Sequence, residues 1–322
     1  MGASLGPAES VLAATVARRY YLHGEAKKDI AAGLGINRFK VARLIDSALE
    51  SGLVRIEITS GTGVDLDASA LLLERFDLQR CVVVEGTDIP GPHNQAALGK
   101  IAAAVIREAL VDGDVLGLPW SRAVLAMTSQ LTELPMVRVV QLSGAMELPG
   151  INASAVDIVR EAARVSGGQS VIFHAPFILD DDASAHALRR QPSVRSGLSA
   201  VADVTHAVVG LGQWHPSLTT LYDMATKAEQ QALSDADVVG EIAGVFFDES
   251  GRPIQTQINQ RLITLSGREL AAIPDVTAIV EGAAKAPAVC AAIRGGLING
   301  LVVDAALAAA LIGDTNEPDS TR

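Results

Sequence analysis

Arg38, Lys40 and Arg43 lie two and three residues apart in NRFKVARLIDSALE, clear of the apolar positions Val41, Leu44, Ile45 and Ala48. At helical spacing this sets the cations on one exposed side, the arrangement that neutralises phosphates and lets Arg read guanine bidentately. Asn37 stands where an N-cap would start that helix. With Lys27, Lys28 and Phe39 these residues make up the expected DNA-binding set. A second polar group sits at Gly117-Leu118-Pro119-Trp120-Ser121-Arg122, where a strand gives way to a helix. Backbone N–H groups at such a turn can point at an anion or at hydroxyl oxygens, and Trp120 adds an aromatic face beside them. Gln141, Ser143 and Gly144 close another strand and add polar groups.

Other chemistry is disfavoured. The six histidines form no metal-ligand pair and the two cysteines are far apart, so no metal site is expected. Asp180-Asp181-Asp182 reads as a solvated helix start. Gly210-Leu211-Gly212-Gln213-Trp214 is half a dinucleotide fingerprint without its third glycine, and no cofactor is expected.

The elements that must position the cations are three helices. Val11–Leu22 follows a plausible Ser10 cap and ends at Gly24; Ala26–Leu34 buries Ile30, Ala31 and Leu34; Gly35-Ile36 turns into Arg38–Glu50. Short helix, glycine turn and a capped helix with a basic outer face spell a helix-turn-helix. The alternating run Leu53–Thr59 reads as the strand of a winged variant. Further on, strand-like runs at Cys81–Glu85, Val115–Leu118, Val137–Leu142, Val171–Phe173, Ala207–Leu211, Leu262–Leu265 and Val276–Val280 alternate with helical segments such as Gln95–Leu110 and Ser154–Val165. This rhythm predicts an α/β body: a mainly parallel, doubly wound sheet with ligands beyond the carboxyl ends of its strands.

With 322 residues the chain has room for about two domains. The expected division is residues 1–60 and 61–322. The net charge of −11 is unevenly spread: residues 1–60 hold eight Lys/Arg against six Asp/Glu, +2, leaving 18 against 31, −13. A basic head on an acidic body is oriented toward phosphates while the body is repelled. Cys81 and Cys290 sit in apolar runs and read as buried thiols of a reducing compartment. No signal-peptide pattern and no run of eighteen apolar residues is present, so a cytoplasmic protein with no membrane partner is expected.

The segment ARRYYLHGEAKKDIAAGLGINRFKVARLIDSALESGLVRIEI resembles the DNA-binding domain of SorC-type bacterial transcriptional regulators, which control sugar and polyol catabolic operons. DGDVLGLPWSRAV, VVQLSGA, HAPFILDD, ADVTHAVVGLG, VVGEIAGVFFDESG and LSGRELAAIPDVTAIVEGAAKAPAVCAAIRGGLINGLVVD match the family's later blocks in order, over roughly residues 11–312. The resemblance implies a sugar-isomerase-like effector domain, operator DNA and a sugar, sugar phosphate or polyol as partners, and self-association as a dimer or tetramer. It implies effector binding by the loop Gly117–Arg122, by Glu241 as acceptor of sugar hydroxyls, and by the turn Glu281–Lys285, with Gly282 and Lys285 the matching glycine and cation. The chain departs from the family pattern twice. Pro119, Ser121 and Ala123 stand where Ser, Gly and Thr are common, and Glu281 replaces the first glycine of the turn. A carboxylate there repels a phosphate unless it turns away or pairs with Lys285. A neutral sugar or polyol therefore carries comparable weight. The rival reading is a sugar-phosphate isomerase-like enzyme with an accessory DNA-binding domain, for which Glu241 or Glu281 would have to act as general base.

Overall fold

The computed structural model describes residues 6–55, 63–85, 92–146 and 153–313. The chain separates into two compact units, residues 1–59 and 60–322.

The first unit is three helices, α1 (Pro7–Tyr21), α2 (Lys27–Leu34) and α3 (Arg38–Glu50). Ala13, Val16 and Ala17 of α1 pack with Ile30 and Ala31 of α2 and with Val41, Leu44, Ile45 and Ala48 of α3. Gly35 ends α2 in the left-handed region at φ 65°, which a glycine adopts without the Cβ penalty. Asn37 caps α3, its Oδ1 accepting from Lys40 N at 2.7 Å. The first helix begins four residues earlier than expected. Pro7 holds its first position and Gly6 is the N-cap, so Ser10 lies inside the helix, its N–H donating to Gly6 O. The second begins at Lys27, with Ala26 as cap. Of the expected wing strand, Leu53–Arg55 is irregular, and residues 56–59 lie outside the described residues.

The second unit is built on a sheet of β1 (Val64–Asp65), β2 (Arg80–Val84), β3 (Val115–Leu118), β4 (Arg138–Gln141), β5 (Ser170–Val171), β6 (His206–Gly210), β11 (Asp275–Val280) and β12 (Gly300–Asp304), in the order β1-β2-β12-β11-β6-β3-β4-β5. All pairs are parallel except β1 with β2. Every residue of β11 and β12 is buried, as central parallel strands covered on both faces require. Along β12, Leu301 and Val303 pack into one core and Val302 into the other, so each face of the sheet has its own core. A second, antiparallel sheet, β10-β9-β8-β7, combines β7 (Gly212–Gln213), β8 (Gly240–Ile242), β9 (Val245–Phe247) and β10 (Pro253–Ile254). Strand order reverses between β3 and β6, where doubly wound sheets open a crevice at the strands' carboxyl ends.

Two sequence expectations need correction. Leu262–Leu265 is no strand: Leu262 and Thr264 make only isolated bridges, to Ile178 and Ser143. The expected strand set also lacks β12, which sits near the middle of the sheet. Helix α4 (Leu66–Arg75) precedes β2, α5 (Pro92–Ala109) links β2 to β3, and α6 (Arg122–Thr128) follows β3. α5 and α6 touch backbone to backbone at Gly99, where a Cβ would stand 2.6 Å from the Ala126 carbonyl carbon and oxygen.

Candidate functional site

On α3 the buried positions define the inner side, and at 100° per residue the direction opposite them falls between Phe39 and Arg43. Phe39 is 87% exposed, on an outward face it shares with Arg43. Arg38, also exposed, and half-buried Lys40 lie on opposite flanks of this face, about 160° apart around the helix, so the three cations do not share one side as their spacing predicts. Farther along, the same face carries exposed Asp46 and Glu50, so only the first turns of α3 are suited to face an anionic polymer. Lys27 and Lys28, at the start of α2, share one shallow depression with Arg38 and Tyr20. The Lys27 ammonium lies 5.4 Å from the Tyr20 ring centroid. A bidentate Arg19–Glu25 pair clamps the turn before α2 and keeps the Glu25 carboxyl below the usual carboxylate range.

In the second unit a cavity of about 680 Å³ opens where β3, β6 and β11 end. Trp120, Ser121, Arg122, Glu241, Gly282 and Lys285 all line it, although Trp120 and Lys285 are 165 residues apart in sequence. Trp120 is 8% exposed, and its indole N–H donates to Ala153 O at 3.0 Å, so what it offers a ligand is apolar surface. Ser121 caps α6, its Oγ accepting from Val124 N at 3.0 Å. Gly210 leaves room for that hydroxyl, since a Cβ there would come within 2.8 Å of it. Gly212 likewise clears Thr219 and Glu241. The half-fingerprint glycines thus serve close approach within the cavity wall.

Glu241, on β8, accepts from the Thr219 hydroxyl at 2.7 Å and from Gly244 N at 3.0 Å. Burial pushes its carboxyl above the usual carboxylate range, against the ionised form's support from those two donors and from Lys285. Lys285 is pulled below the usual lysine value by burial, against the charges of Glu281, Glu241 and Asp304, with Arg122 adding to the lowering. Glu281 points to α5: Gln95 Nε2 donates to one oxygen at 2.9 Å and Asn94 Nδ2 to the other at 3.3 Å. Asn94, 2% exposed, also donates to Asp304 at 3.2 Å. Gly282 has φ 93°, and its N–H donates to both Asp304 oxygens, at 3.1 and 3.0 Å.

Gly117, Gln141 and Gly144 do not line the cavity. A Cβ on Gly117 would meet Leu142 and Val204 at 2.9 Å, and one on Gly144 would stand 2.4 Å from Pro176 O. Gln141 is fully buried, donating to Ser143 O at 2.8 Å and accepting from Phe173 N at 3.2 Å. These three support the wall from behind. Gln95, Thr219, Asp223 and Phe177 line the cavity and Asn94 and Asp304 brace it, all missed by the sequence reading. The carboxyl-end rule would have found Asp304, the last residue of β12. Among the described residues no cluster of His, Cys, Asp and Glu could hold a metal ion. No described helix is long and apolar enough to cross a membrane. Burial raises the Cys81 thiol to about 12, leaving it unreactive at neutral pH.

Residues 62–313 match the family model described as "Putative sugar-binding domain". The chain is 30% identical over 317 residues to the transcriptional regulator LsrR of Klebsiella pneumoniae, covering 96% of this chain and 95% of that one. It is 26% identical over 297 residues to the transcriptional regulator YjhU of Escherichia coli K12, covering 88% and 89%. The full-length sorbitol operon regulator SorC from Klebsiella pneumoniae has the same fold, with a TM-score of 0.71 at 23% identity over 95% of this chain and 99% of that one. The chain therefore belongs to the SorC-type family of sugar-binding transcriptional regulators.

Proposed function

We propose that this protein is a cytoplasmic, ligand-responsive transcriptional regulator of a carbohydrate or polyol catabolic operon. The first unit binds operator DNA through the amino-terminal turns of α3. The second binds a small polyhydroxy effector at the carboxyl ends of β3, β6 and β11. The observation that carries this reading is the cavity itself. Its polar groups, Glu241 and Glu281 as acceptors and Arg122 and Lys285 as donors, surround an apolar wall that includes Trp120, which is how sugars are held. A turnover role is less well supported. The relatives that cover nearly the whole chain are named transcriptional regulators, and Glu241 and Glu281 are held by protein donors with lone pairs left to accept from a ligand's hydroxyls. One helix-turn-helix reads few base pairs, so the working form is a dimer or tetramer pairing heads across half-sites. The test is operator binding by the full chain, with sugar-phosphate turnover measured beside it. Specific binding to the promoter of an adjacent sugar or polyol operon without turnover supports the reading, and turnover without DNA binding refutes it.

A further inference from the structure

The charges around the cavity are not those of a site for a dianion. Among the described residues its lining carries Arg122 and Lys285 against Glu241, Glu281 and Asp223. Lys285, the cation at the turn, already has the charges of Glu281, Glu241 and Asp304 around it. Asn94 and Gln95 hold Glu281 in place by donating to both its oxygens, but amides bring no charge, so the negative charge stays at the wall. Charges interact several times more strongly at partly buried sites such as these than in water. The Gly282 N–H, an anion-seeking group of the turn, is taken by both Asp304 oxygens. Hydroxyls suit the same wall: each can donate to Glu241 or Glu281 while accepting from Lys285 or Arg122.

Resting on the sensor reading above, we infer that the effector is an uncharged polyol or sugar rather than its phosphate ester, and that Glu281 is the residue that excludes the phosphate. Glu281→Gln keeps the side chain's shape and removes its charge; Glu281→Gly removes the side chain and guards against a local packing effect of the glutamine.

The test is calorimetry on the full chain with ribitol, glucitol, ribose and glucose, their terminal monophosphates, and inorganic phosphate. Wild type should bind at least one free compound roughly tenfold or more tightly than its monophosphate, and both variants should gain affinity for inorganic phosphate by a similar factor. Adding Lys285→Met to Glu281→Gln should abolish that gain. Equal phosphate affinity in wild type and variants, including no binding to any of them, overturns the inference. So does tighter binding of the monophosphates by wild type, although the sensor reading then stands. If no compound binds wild type or variants at millimolar concentration and none alters DNA binding, the sensor reading itself fails.

Discussion

Replacing Asn37 separates the folding of α3 from its use. Its Oδ1 accepts from Lys40 N at 2.7 Å, one of the N–H groups that the helix cannot satisfy internally. Asn37→Ala removes that acceptor and should cost about 1 kcal/mol, lowering the Tm of a unit this small by roughly 4–8 °C. Asn37→Ser restores a cap and should behave nearly as wild type. Asn37→Asp is the informative change. It keeps the acceptor and places negative charge at a helix amino terminus, which should stabilise α3 by about 0.3–1 kcal/mol. If the first turns of α3 face DNA, the same charge comes within about 6 Å of a phosphate and should weaken operator binding by about 1–3 kcal/mol, roughly 5- to 150-fold, across an effective dielectric between protein surface and water. Thermal melts and fluorescence-anisotropy titrations at two salt concentrations read both effects. A variant that melts higher yet binds DNA more weakly fits the account. If Asn37→Asp binds DNA as wild type does, with the same salt dependence, the start of α3 does not face the duplex and the reasoning is wrong.

Other expectations follow from the same geometry. Arg43→Ala should cost about 1–3 kcal/mol of operator affinity if it reads a base bidentately, and Phe39→Ala, in the middle of the outward face, should weaken binding while leaving the melting temperature unchanged. Glu241→Gln can keep both contacts, accepting from Gly244 N and donating to Thr219. Because burial raises this carboxyl, wild type loses stability as pH rises from the ordinary carboxylate range through the raised value. The variant should therefore melt higher at neutral pH, the gap should close at acid pH, and effector affinity should fall; a gap independent of pH would count against it. Gly99→Ala would drive a Cβ into the Ala126 carbonyl, costing about 1–3 kcal/mol and displacing α6 with Arg122. Unchanged stability and effector affinity would show that this contact does not position the loop.

The first unit was readable because its signals are local. Asn37, Gly35 and the Val41-Leu44-Ile45-Ala48 period each act within a few residues, and the structure realises each as a cap, a left-handed turn and a buried face. Most of the parallel strands, such as β11, were readable for a similar reason; β12, whose apolar run is only Leu301, Val302 and Val303, was not. The antiparallel sheet was not, since strands of two or three residues are too short to show alternation. Gln141 looked like a ligand group because a polar residue ending a strand usually faces solvent or a site; here its amide ties two chain segments together inside the core. Asn94 and Gln95 gave no signal, being ordinary polar residues of a long helix. Only the fold brings them to Glu281, almost two hundred residues onward.

The central claim is that effector and DNA are coupled through one chain. Coupling is reciprocal: whatever factor the effector imposes on operator affinity, the operator must impose on effector affinity. The most direct measurement is a closed cycle on the full-length protein, with operator Kd measured with and without a saturating polyol or sugar, and ligand Kd measured with and without operator. The account predicts equal shifts in the two, of about 5- to 150-fold, both lost in Lys285→Met. Ligand binding in the cavity that leaves operator affinity unchanged would contradict it.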